Sequence, residues 1–177
     1  MSALEEPVRV PVAVAELRAM LHIEQSRDDA ELAGVIASAT ALCEAFIGCP
    51  LMVRSVAETV RAGSWQRLAN QPVHAIVAVG ARDPDGAIAP LPIVDYAIDI
   101  DADGTGWVRV HPQRVAPNIS VTYRAGLAID RNGVPEPVRH GLLKLAAHLH
   151  RDAISDGAIP PTAVAALWRP YRRMRLR

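Results

Sequence analysis

Apolar side chains recur along this chain with two different periods, and the change of period divides it into three stretches. From 12 to 23 (VAVAELRAMLHI), Val14, Leu17, Met20 and Leu21 fall on one side at helical steps, which predicts a short helix. A turn follows at 24–27, and Asp28 or Asp29 is placed to cap a longer helix by accepting bonds from its free N–H groups. Leu32, Val35, Ile36, Ala39, Leu42, Cys43 and Phe46 then continue at helical spacing. Gly48 can take the left-handed stop conformation, and Pro50 bars continuation.

Between about 51 and 126 the period shortens. Leu51–Val60, Ala75–Ala81, Ile93–Ile100, Trp107–His111 and Ile119–Arg124 are short apolar runs separated by turn residues, notably Asp83-Pro84-Asp85-Gly86 and Asp101-Ala102-Asp103-Gly104-Thr105-Gly106. The alternation in WVRVH and ISVTYR predicts strands with one solvated face. An antiparallel sheet of four to six strands is expected. Helical spacing returns at Pro135: Val138, Leu142, Leu145, Ala146 and Leu149 make an apolar stripe, with His140, Lys144, His148 and Arg151 on the polar side. Asp156-Gly157 and Pro160-Pro161 break that helix. Thr162 is expected to cap a last one carrying Val164, Leu167 and Trp168, and Pro170 to end or kink it. The reading is an α+β fold, a small bundle of about four helices with an antiparallel sheet inserted between the second and third. We expect one domain over 1–177: a helix pair at 12–50, a β-insertion at 51–126, a second helix pair at 135–168, and a basic tail at 169–177.

Composition narrows the chemistry. Half of the 177 residues are apolar but only seven are aromatic, so the core must be built from Ala, Val, Leu and Ile. Charged residues make up 21%, which suits a folded chain. The start, MSALEEPVRV, does not read as a signal peptide, and no apolar run approaches the roughly 20 residues of a membrane span. No membrane association is expected. Cys43 and Cys49 fit no zinc or redox spacing; Cys43 reads as a small core residue and Cys49 as part of the helix-stop loop.

Asp99, Asp101, Asp103 and Gly104 invite a calcium loop, but the twelfth position from Asp99 is Val110 and the flanks read as strands, so a hairpin turn is favoured. His140 and His148 lie two turns apart and His150 on another face, which is poor spacing for a shared metal. No nucleophile elbow or phosphate-binding glycine loop is present; Gly104-Thr105-Gly106 reads as a turn. Neither metal nor cofactor is expected, and nothing argues for catalysis. The first two helices carry too few basic residues for a helix-turn-helix DNA reader.

The formal net charge is zero, yet the last nine residues hold five arginines, Tyr171 and no acid. Charge gathered at one end of a neutral chain marks a surface built for a partner, with a tail folded back on its own domain as the alternative.

The pieces in order resemble the head–tail connector (adaptor) proteins of long-tailed phages and phage-like gene transfer agents. VAELRAMLHI followed by DDAELAGVIASATALCEAFIGCPL is similar to the family's opening helix pair. Gln71-Pro72-Val73-His74-Ala75-Ile76-Val77-Ala78-Val79 is similar to its entry to the sheet, and Arg124-Ala125-Gly126 with Val134-Pro135 to its run into the third helix. The chain departs at His148-Leu149-His150-Arg151, where related phage proteins often close the helix with a Tyr-x-Asn-Arg stretch. The resemblance implies a non-enzymatic virion protein, made in the bacterial cytoplasm, that forms a ring (generally twelve copies) between the portal and the stopper or tail-terminator protein. It implies a lumen in which DNA is touched nonspecifically. It also implies portal docking through the C-terminal segment, here Trp168, Arg169, Tyr171, Arg172, Arg173, Arg175 and Arg177. The first rival is a nonspecific nucleic-acid-binding or DNA-packaging accessory protein using the same tail; a small enzyme with a dispersed site ranks below both.

Overall fold

The computed structural model describes residues 10–24, 28–83, 85–111, 118–151 and 160–172. The chain forms two compact units, one of helices from Met1–Met52 and Ala128–Arg177, the other of strands from Val53–Leu127.

In the helical unit, α1 spans Val14–Leu21 and α2 spans Asp29–Ile47. Helix α1 buries only Leu17, assisted by Val12 just before it. Glu16 reaches back to accept the Ala13 N–H at 3.2 Å, satisfying one of the donors a helix start leaves open. Helix α2 buries Leu32, Ile36, Ala39, Cys43 and Ile47 along one face, while Val35, Leu42 and Phe46 are half-buried. Gly48 stops it as expected, at φ 84°, with its N–H on the Glu44 carbonyl at 2.8 Å. The predicted cap is different: Asp28 holds the position before the helix but its side chain makes no capping bond. The Asp29 carboxylate instead lies 3.6 Å from the Arg18 guanidinium.

One expectation needs correcting here. By length and composition α2, with mean hydropathy 1.6 over its best window, is long and apolar enough to cross a membrane. Its exposed side is lined by small residues, Ala33, Gly34, Ala37, Ala41 and Ala45, while the large apolar side chains Leu32, Ile36 and Ile47 are buried. Its buried residues follow the one-sided pattern of a helix packed on a core.

Helix α3 (Glu136–Arg151) packs on α2 and α1, and α4 (Thr162–Trp168) packs on α3. Val138, Leu142, Leu145 and Ala146 are buried as the spacing predicts, and His140, Lys144, His148 and Arg151 are exposed. Pro161, not Thr162, occupies the position before α4. Pro170 does not end the chain's winding at once; Arg169–Tyr171 form one tighter 3-10 turn after α4. A proline near the start of such a turn lacks only an N–H that would have had no partner.

The β unit holds seven described strands in two sheets rather than one. The four-stranded sheet has the order β1 (Arg54–Arg61), β7 (Asn118–Ala125), β3 (Val73–Arg82), β4 (Ile88–Pro90). The three-stranded sheet has the order β2 (Gln66–Arg67), β6 (Gly106–Val110), β5 (Tyr96–Ile100). All pairs are antiparallel. Val60, Leu68, Val73, Val79, Val108, Val110, Ile119, Val121, Tyr123 and Ala125 form the core of this unit.

Strand β6 alternates as read, with Gly106, Val108 and Val110 buried and Trp107 and Arg109 half-buried between them. Strand β7 does not have the open solvated face expected of it. It lies between β1 and β3, and its Ser120 is buried while Thr122 and Arg124 are half-covered. The expected strand at Ile93 begins only at Tyr96, because Ile93–Asp95 wind into a 3-10 turn that leaves Ile93 and Val94 exposed.

Candidate functional site: the root of the basic tail

The C-terminal segment is anchored from within. Trp168 is fully buried. Its indole N–H donates to the Val138 carbonyl at 3.3 Å, and its ring lies 5.8 Å, centroid to centroid, from Phe46 of α2. Gly141 of α3 makes the space: any Cβ there would collide with the indole. Arg172 then passes back over Phe46, its guanidinium 5.7 Å from the ring centroid, an arrangement in which the ring's π-face attracts the cation. Arg169 and Arg172 are exposed and Tyr171 is half-buried. Arg173, Arg175 and Arg177 lie outside the described residues.

The seven residues assigned to portal docking therefore do not form one exposed set. Trp168 is a core residue of the helical unit, because a large ring with one polar atom found both an apolar bed and a hydrogen-bond acceptor in its own chain. Arg169, Tyr171 and Arg172 follow that fixed root, with Arg169 and Arg172 exposed.

The acidic turn is a β-hairpin between β5 and β6. The Asp101 N–H donates to Thr105 O and the Gly104 N–H to Asp101 O, both at 2.9 Å, and Gly104 takes φ 79°. The carboxylates are engaged locally: Asp99 accepts from the Ile100 N–H at 3.0 Å, Asp103 from the Thr105 N–H at 3.1 Å, and Asp101 from the Trp107 indole at 2.8 Å. His150 turns to Glu31 of α2, with 3.4 Å between ring nitrogen and carboxylate, away from His140 and His148. Among the described residues no three His, Cys, Asp or Glu side chains come together as metal ligands would. Cys43 and Cys49 are both buried and neither is in a disulfide, and burial pushes the Cys43 thiol up.

Two polar networks escaped the sequence reading. Glu16 joins α1 to α3 through Arg139 at 2.7 Å, with Arg131 at 4.0 Å. Burial opposes its charge, but the Arg139 hydrogen bond, the Ala13 N–H and the two guanidinium charges prevail and hold the carboxyl below its ordinary range. In the β unit the Tyr123 hydroxyl donates to Glu58 at 2.7 Å and accepts from the Asn70 N–H at 3.1 Å. Burial, reinforced by the Glu58 bond, pushes that phenol up to about 12. Partners 53 and 65 residues apart leave no periodic signal to read.

A surface feature also went unread. Ile93 and Val94 are 80% and 76% exposed, and Ile88, Ile98 and Ile100 lie open nearby in the sequence.

No family model matches the sequence, and no curated protein matches it. Solved structures do resemble it. A chain in the neck of a native gene transfer agent particle, computed with C12 symmetry, matches with TM-score 0.74 and 22% identity over 99% of this chain and 94% of that one. A chain in the virion of a native gene transfer agent particle matches with TM-score 0.74 and 20% identity, covering 99% and 96%. A chain in the neck of an empty particle, computed with C6 symmetry, gives 0.73 and 21%, covering 94% and 91%. The chain thus has, over nearly its whole length, the fold of proteins found in these particles.

Proposed function

We propose that this protein is a structural head–tail connector of a phage-like particle, of the gene transfer agent kind, and that it works as one copy in a ring. The observation that carries the reading is the end-to-end fold match to chains from particle necks, one of them computed with twelvefold symmetry. A closed ring needs two different patches on each copy that fit each other. The adjacent bare side chains of Ile93 and Val94 in the β unit are suited to such a contact. The basic tail supplies a separate element, rooted at Trp168, for a neighbour along the particle axis, the portal being the partner implied by the family. The lumen of such a ring would pass DNA, and the protein would act there by position rather than by catalysis.

The test is to purify particles from a producing culture and to locate the chain by mass spectrometry and electron cryomicroscopy. The expected result is the chain in stoichiometric multiples at the neck. Its absence from intact particles would overturn the reading. Free protein at micromolar concentration is expected to run as a monomer or weak associate in light scattering, because no heptad seam drives assembly by itself.

A further inference from the structure

Met20 of α1 and Lys144, Ala147, His148 and Arg151 of α3 line a cleft of about 470 Å³ within the helical unit. Lys144, His148 and Arg151 stand at steps of four and three residues, so they form one row about 10 Å long on the helix. All three are exposed, whereas Met20 is half-buried and Ala147 buried. The cleft therefore has an apolar floor, with the cations Lys144 and Arg151 on its rim. Three other arginines of this unit are matched with acids: Arg18 with Asp29, and Arg139 and Arg131 with Glu16. Lys144 and Arg151 have no acidic partner among the described residues.

We propose that this cleft is a docking site for an acidic peptide segment of a partner protein. An aliphatic side chain of the segment rests on Met20 and Ala147, and carboxylates on either side of it meet Lys144 and Arg151. Charge complementarity selects the acid, because ionised donors bind carboxylates more strongly than neutral groups do. The apolar floor selects a peptide over nucleic acid: a phosphate backbone offers nothing to cover a methionine, and it favours a longer basic track. The site stands apart from the particle assignment and does not need it to be right.

Lys144 is the only lysine in the chain, so an amine-acylating reagent reports on one side chain, with the α-amino group separated by peptide mapping. The acylation rate of Lys144 is measured on the full chain with and without the synthetic peptide acetyl-Glu-Glu-Leu-Glu-Glu-amide. Its all-Gln counterpart and a short DNA duplex serve as comparison arms. At millimolar peptide the expected result is about threefold slower acylation or more, as for a site roughly two-thirds filled. The protection is absent with the Gln peptide and lost in Arg151→Glu, an exposed change whose fold is checked by circular dichroism. No protection, equal protection by the Gln peptide, protection retained in Arg151→Glu, or stronger protection by the duplex would each overturn the proposal.

Discussion

The indole N–H of Trp168 donates to the backbone carbonyl of Val138, so the last turn of α4 is bonded to the first turn of α3, thirty residues earlier. The bond uses a carbonyl near a helix start, which is still free to take a second donor. It fixes the root of the basic tail. Gly141 is the residue that allows the approach, since its missing Cβ is the space the ring fills.

Trp168→Ala is accordingly expected to destabilise the helical unit by about 3–5 kcal/mol, the range for emptying a buried aromatic site. Gly141→Leu should be comparably damaging by overfilling the same space. Urea unfolding of the parent and both variants checks this. A loss below about 1 kcal/mol for Trp168→Ala would show that the ring is not held as described.

Deleting Arg169–Arg177 removes the Arg172–Phe46 contact but leaves Trp168 and every buried stripe in place. The shortened protein is expected to fold, losing only about 0.5–1 kcal/mol, the worth of an exposed cation–π pair. If the tail holds the portal, particles carrying the deletion should accumulate as heads without tails. Unimpaired tail attachment, seen by electron microscopy, would remove the tail from that role.

Glu16 gives the helical unit a pH dependence of known sign. Its carboxyl titrates lower in the folded protein than its ordinary 4.5, so its contribution is fully present above that value and is lost as pH falls through the folded value. With the side chain 29% exposed, the effect is about 0.5–1 kcal/mol. Denaturation midpoints between neutral pH and the acid limb should fall less steeply in Glu16→Gln than in the parent, and parallel curves would refute the assignment.

Tyr123 works in the opposite direction. Its phenol is raised from 10 to about 12 in the folded state, so the unfolded chain ionises first and stability declines as pH rises across that window. Tyr123→Phe should abolish that decline. At neutral pH it should cost about 0.5–1.5 kcal/mol, because the half-buried Glu58 and Asn70 lose the hydroxyl that links them.

The β5–β6 turn holds its aspartates on neighbouring donors, which leaves little reason for a cation to settle there. Thermal unfolding of the parent is expected to ignore added calcium, and Asp101→Ala with Asp103→Ala to behave alike in this respect. Loss of the Trp107–Asp101 bond is expected to show separately as a small fall in Tm. A calcium-dependent rise in the parent that vanishes in the double variant would reinstate the loop as a cation site.

What was legible in the sequence was local. Helical spacing from Leu32 to Cys43 and from Val138 to Ala146, the stop at Gly48 and the hairpin at Asp101–Gly106 all rest on residues close in the chain, and each is present in the fold. The basic end of the chain was legible as charge. The three-dimensional fold alone decided the rest. Ser120 of β7 is buried, although the alternation of its sequence predicts a solvated face there. The meeting of Glu16 with Arg139 depends on how α1 lies on α3, and the row of Lys144, His148 and Arg151 becomes a cleft only where Met20 stands beside it. Trp168 is the clearest case. Beside five arginines it reads as an interface aromatic, but its position is set by a glycine 27 residues earlier and a phenylalanine on another helix. Periodicity reports which face of an element is apolar; it carries no information on which distant residue that face will meet.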